Sequence, residues 1–89
     1  MHLKEAFENI GSAVMANDEF WGTYIGTLME VRETRVGYFA RVKIIKNIEE
    51  PIQHSIFYKD RQFERLPHAA GTIESFSIDN VGLLQPDAA

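Results

Sequence analysis

The stretch "GYFARVKIIK", residues 37–46, decides how the rest of the chain is read. Tyr38, Ala40, Val42 and Ile44 alternate with Phe39, Arg41, Lys43 and Ile45, the two-residue period of a strand with one face buried and one facing out. With Val36, Tyr38, Ala40, Val42 and Ile44 turned to the core, the outer face carries an aromatic, two cations and an isoleucine in one row. Thr23 to Val31 is rich in β-branched and aromatic residues and reads as the preceding strand, with Glu33-Thr34-Arg35 as the hairpin connection.

Upstream of this pair the period changes. Leu3, Ala6, Phe7, Ile10 and Val14 fall on one helical face, with Lys4, Glu5, Glu8 and Asn9 opposite. Gly11-Ser12 weakens that helix in its middle, so it ends near Asn9 or Ile10, or runs on. In the first case Ser12 to Ala16 is a short strand or a connector, and five residues do not decide between them. Asn17-Asp18 reads as a turn, since both side chains bond nearby backbone groups.

Downstream, Pro51 cannot donate to a central ladder and marks a turn or the start of a strand over Ile52 to Tyr58. Residues 59–70, "KDRQFERLPHAA", read as a loop with Phe63 and Leu66 tucked back onto the core. Gly71 opens a last long strand, Thr72 to Ile78, and Asp79-Asn80 turns into a short closing segment at Val81 to Leu84. The expected organisation is one domain of 89 residues, with residues 1–18 as a helical region, 20–84 as a barrel-like core and 85–89 as a frayed tail.

Short strands joined by hairpin-length links cannot all be shielded by one helix unless the sheet curls on itself. The expected fold class is therefore mainly β (α+β). An N-terminal helix packs on a small, strongly bent antiparallel sheet, or on a partly open barrel of four to five strands. The run "GTYIGTLMEV", a turn, "GYFARVKI" and then "GTIESFSIDNVGLL" resembles the strand order of Src-homology-3-like small β-barrels over about residues 22–84. What the resemblance implies is a fold, not an activity.

Composition narrows the function classes. Apolar residues at 45% and charged residues at 25% describe a folding globular chain. No apolar run approaches the roughly 20 residues of a membrane span, and the first residues alternate charge with apolar groups, unlike an export signal. Cysteine is absent, which removes disulfides and thiolate chemistry and fits a cytoplasmic protein. His2, His54 and His68 lack metal-ligand spacing, so no metal and no cofactor is expected. His54 shares the phase of Ile52 and Ile56, and His68 follows Pro67 in a loop where it is free to face solvent. Carboxylates such as Asp60 with Glu64, or Glu74 with Asp79, stand in no catalytic motif, and an enzyme is not expected.

The charge distribution is uneven. Against a net charge of −4, Arg32, Arg35, Arg41, Lys43, Lys46, Lys59, Arg61 and Arg65 all lie within residues 32–65, facing only Glu33, Glu49, Glu50, Asp60 and Glu64 there. The expected binding surface is the row Phe39, Arg41, Lys43 and Ile45, joined by Arg32, Arg35 and Lys46 from adjoining turns. Its expected role is to bind a protein partner or to form a homodimer. The alternative is nucleic acid, above all RNA, bound through the basic segment with Phe39 stacking on a base. The row also has purely structural explanations. Cations discourage edge-to-edge aggregation, and the N-terminal helix could cover Phe39 and Ile45 with Leu3, Phe7 and Ile10. Phe20-Trp21-Gly22-Thr23-Tyr24 likewise reads either as a ligand anchor or as a hinge of the core.

Overall fold

The computed structural model describes residues 1–51, 56–58, 61–63 and 66–84. The strand start expected at Ile52, the histidine at 54 and the tail 85–89 lie outside the described residues. The chain forms α1 (Leu3–Glu8), β1 (Ala13–Asp18), β2 (Gly22–Thr34) and β3 (Gly37–Glu49). After these come β4 (Ile56–Tyr58), β5 (Arg61–Phe63), β6 (Ile73–Ser77), a 3-10 turn (Ile78–Asn80) and β7 (Val81–Leu83). Five strands make one antiparallel sheet in the order β6-β3-β2-β1-β7, and β4 with β5 make a separate hairpin. The protein is thus mainly β, an open and strongly bent sheet with one short N-terminal helix. Among the described residues, no helix is long and apolar enough to cross a membrane.

The helical spacing of the first residues is realised only to Glu8. The Asn9 N–H closes the last turn on the Ala6 carbonyl, and Gly11 takes a φ of +94°, a left-handed conformation that ends a helix. The Gly11 N–H then donates to the Leu28 carbonyl (2.7 Å) and the Leu28 N–H to the Ser12 carbonyl (3.0 Å), drawing the chain alongside β2. Residues 13–18 are therefore strand, not helix, and Val14 and Ala16 are buried from β1. Ala6 is buried, and Leu3 packs against the same core cluster.

That core is the inner face of the curled sheet: Val14, Ala16, Tyr24, Leu28, Ala40, Val42, Ile44, Phe76, Ile78 and Val81. The hairpin is longer than expected, because Glu33 and Thr34 belong to β2 and the turn is only Arg35-Val36. Thr34 Oγ1 donates to the Gly37 carbonyl (2.8 Å) and accepts the Val36 N–H (3.3 Å). Val36, expected in the core by alternation, is 85% exposed at that turn. A second difference lies in the expected loop, where residues 61–63 pair with β4 instead of remaining irregular.

The sheet bends where β2 and β3 fall out of step. The register runs Leu28 to Val42 and then Glu30 to Arg41, Gly26 to Ile44 and then Ile25 to Lys46, Tyr24 to Asn47 and then Thr23 to Glu49. The extra residues are Met29, Ile45 and Ile48, and all three are exposed. A bulge leaves its extra residue unpaired while increasing bend and twist, so these apolar side chains mark the corners that let the sheet curl. Gly26 sits at one such corner, where an added methyl would overlap the Lys43 carbonyl and the Val42 side chain.

Candidate functional site

The quoted strand places its side chains as its alternation requires up to Ile44. Ala40, Val42 and Ile44 are buried, whereas Lys43 is exposed and Phe39 and Arg41 are partly exposed. Beyond Ile44 the bulge resets the phase. Ile45, the extra residue, stands 56% exposed, and Lys46 rather than Asn47 pairs with Ile25 on the outer side. Lys46 thus enters the row from within β3, and Arg32 from within β2 opposite Phe39, so neither comes from a turn. Arg35 alone lies in a turn, at the far end of the hairpin.

Register assembles a surface around this row. On one side β6 sets Ser77, Ser75 and Ile73 opposite Phe39, Arg41 and Lys43. On the other, β2 sets Arg32, Glu30 and Thr27 opposite the same three residues. Ala13 and Met15 of β1 continue the surface across Thr27 and Ile25. Arg41 reaches Ser75 Oγ at 3.5 Å, and Arg32 Nε is paired with the Glu30 carboxylate. The helix does not cover this face. Leu3 turns to the inner core, while Phe7 and Ile10 stay exposed. Ile73, Met15 and Ile25 were missed in the sequence because only cross-strand register brings them beside Lys43 and Lys46.

The aromatic segment divides. Tyr24 is fully buried, its hydroxyl donating to the Trp21 carbonyl and accepting the His68 N–H at 3.0 Å. Asp18 Oδ1 accepts the N–H groups of Phe20 (2.8 Å) and Trp21 (3.0 Å), which fixes the turn between β1 and β2. His68, whose loop position leaves it free to face solvent, lies between aromatic rings. Its ring centroid is 5.3 Å from that of Trp21 and 5.1 Å from that of Tyr24, and Nδ1 is 3.7 Å from the Glu74 carboxylate. This cluster clamps the segment before β6 onto the start of β2, a packing role that the spacing of 44 residues conceals.

A shallow groove of about 400 Å³ lies beside β7, between Met15, Asn17 and Thr23 on one side and Asp79 to Leu84 on the other. Asn17 Nδ2 donates to Thr23 Oγ1 at 3.2 Å, and its apolar wall is Met15, Val81, Leu83 and Leu84. Among the described residues, no three His, Asp or Glu side chains gather in a metal-holding group. No family model, no curated protein and no solved structure matches the chain.

Proposed function

We propose that the protein is a non-catalytic interaction module whose outer sheet face docks an acidic, partly apolar surface of a partner protein. Phe39, Arg41, Lys43, Ile45 and Lys46 form its centre, with Arg32 at one end. The observation that carries this reading is the mixture on one face: Ile45 is exposed between Lys43 and Lys46, Ile73 is exposed on β6 beside Lys43, and Met15 is exposed on β1 across Ile25 from Lys46. A bulge explains why an extra residue stands at position 45, but not why Ile73, in regular register, is an exposed isoleucine. A row of cations flanked by exposed apolar side chains suits a protein surface of opposite charge with apolar patches of its own. A second copy of this chain suits the face less well, since its cations would meet their own counterparts. The absence of cysteine supports a reducing compartment, the cytoplasm.

A photo-cross-linker placed at position 45 in cells tests this. One discrete protein adduct is expected, lost when Arg41→Gln and Lys43→Gln are combined. Equal adducts from a control site at Glu5 on α1, or none from position 45, would sink the reading. The second reading is nucleic acid, favoured by Arg41, Lys43 and Lys46 sharing a face with Phe39. Sedimentation with mixed-sequence RNA and DNA at low and near-physiological salt separates the two. Co-sedimentation with either nucleic acid that falls steeply as salt rises would support this second reading, whereas none even at low salt would sink it.

A further inference from the structure

Phe39 to Lys43 lies in the interior of the sheet, paired with β2 on one side and with β6 on the other. The backbone N–H and C=O groups along this stretch are engaged by neighbouring strands, so whatever covers the outer face meets side chains alone.

Those side chains are graded across the face. Arg41, Lys43 and Lys46 run along its middle, and among the described residues none of the three forms an ion pair within the chain. Their lateral neighbours are small or apolar, with Ser75 beside Arg41, Thr27 and Ile73 beside Lys43, and Ile25 beside Lys46. Glu30, opposite Arg41, is taken up by Arg32. An occupant therefore has to match a central line of cations with apolar groups to both sides of it.

An extended segment laid on this face would turn its own unpaired backbone groups toward Ile45, Ile73 and Met15, where no partner for them exists but water, and burying them unpaired is costly. A helix keeps its backbone bonds internal and presents side chains only. The spacing agrees as well. Successive outward positions of a strand lie about 6.6–6.8 Å apart, and the bulge at Ile45 keeps Lys46 one such step beyond Lys43, since the two pair with Ile25 and Thr27. Residues i and i+4 of a helix lie about 6 Å apart along its axis, a difference that long Lys and Arg side chains absorb over two steps. At about 100° per residue, positions i+1 and i+3 stand about 80° to either side of the line between i and i+4. Apolar groups there would meet Ile73 on one flank and Ile25 with Met15 on the other.

We propose that the occupant of the outer face is an amphipathic helix of the partner protein, laid along β3. Its carboxylates stand at i, i+4 and i+8, with apolar residues beside them at i+1 and i+3. The inference rests on the outer face being the docking surface and adds the form of what docks.

Three peptides of about 14 residues, enough for about four helical turns, test it against the full chain by fluorescence anisotropy. The first carries Glu and Leu in that pattern and a side-chain staple on its far face, because a free helix of this length is marginal in water. The second is stapled alike but scrambles the Glu and Leu positions, and the third is the first without its staple and with a central proline. The first is expected to bind about tenfold or more tightly than the other two. It is expected to lose at least about tenfold when Arg41→Gln and Lys43→Gln are combined in the protein, with circular dichroism checking that this variant is folded. A proline-broken peptide that binds as tightly as the first overturns the helix and leaves an acidic, partly apolar partner standing. A scrambled peptide that binds as tightly overturns the line of carboxylates. Binding of the first that ignores the two substitutions lies elsewhere on the protein and overturns the proposal. So does failure of all three to bind, and the cross-link at position 45 then shows whether the docking surface falls with it.

Discussion

Ile44 and Ile45 are the same side chain on consecutive residues of β3, yet one is 2% exposed and the other 56%. Ile44 completes the inner row with Ala40 and Val42, whereas Ile45 is the unpaired residue of a bulge on the face that carries Arg41, Lys43 and Lys46. What separates them is the phase of the pairing with β2. The inner row is held by the fold, and the outer row is open to selection for contact with something else. The same substitution at the two positions therefore ought to separate stability from binding. Ile44→Ala is expected to lower unfolding free energy by about 2–5 kcal/mol, the range for a truncated core aliphatic. Ile45→Ala is expected to stay within about 0.5 kcal/mol. Urea unfolding of both variants checks it, and a comparable loss at position 45 would mean that the outer row is packed rather than open.

The inner side has two further supports of different character. Gly26→Ala places a methyl against the Lys43 carbonyl and Val42, and an overpacked site of this kind costs about 1–3 kcal/mol. Thermal unfolding is the check, and a neutral result would mean that β3 shifts freely at this corner. Tyr24→Phe keeps the ring in the core but leaves the Trp21 carbonyl and the His68 N–H without the hydroxyl that joins them. A loss of about 1–3 kcal/mol follows if water does not take its place. Hydrogen exchange at the His68 amide reports the break directly.

The division between the faces of β3 was legible in the sequence as far as Ile44, because alternation reports a face wherever pairing is regular. It failed at Val36, which a two-residue turn lifts off the sheet, and at Lys46, whose face depends on a register shift against β2. A bulge is a relation between two strands, so no period within one of them reveals it. The bent α+β fold was legible from the number of strands and the shortness of their links. The end of the helix stayed open in the sequence because Leu3, Ala6, Phe7, Ile10 and Val14 keep a helical phase across Gly11; the structure takes the earlier stop, at Glu8, with the backbone left-handed at Gly11 and residues 13–18 in a strand. In the candidate site, the cations and Phe39 could be read directly. Ile73, Met15 and Ile25 could not, since sheet order alone places them beside that row.

The smallest expected effect bears on how far the outer row extends. Arg32 lies across from Phe39 but is already paired with Glu30, and both side chains are exposed. An exposed ion pair contributes about 0–1 kcal/mol, so a double-mutant cycle of Arg32→Gln and Glu30→Gln is expected to give a coupling near the lower end of that range. A weak coupling means that Arg32 leaves Glu30 at little cost when a stronger carboxylate approaches, and the binding row then runs from Lys46 through Lys43 and Arg41 to Arg32. A coupling at the upper end would tie Arg32 to its own strand. The row would then stop at Phe39, and Arg32→Gln would leave partner binding unchanged while Lys43→Gln weakened it.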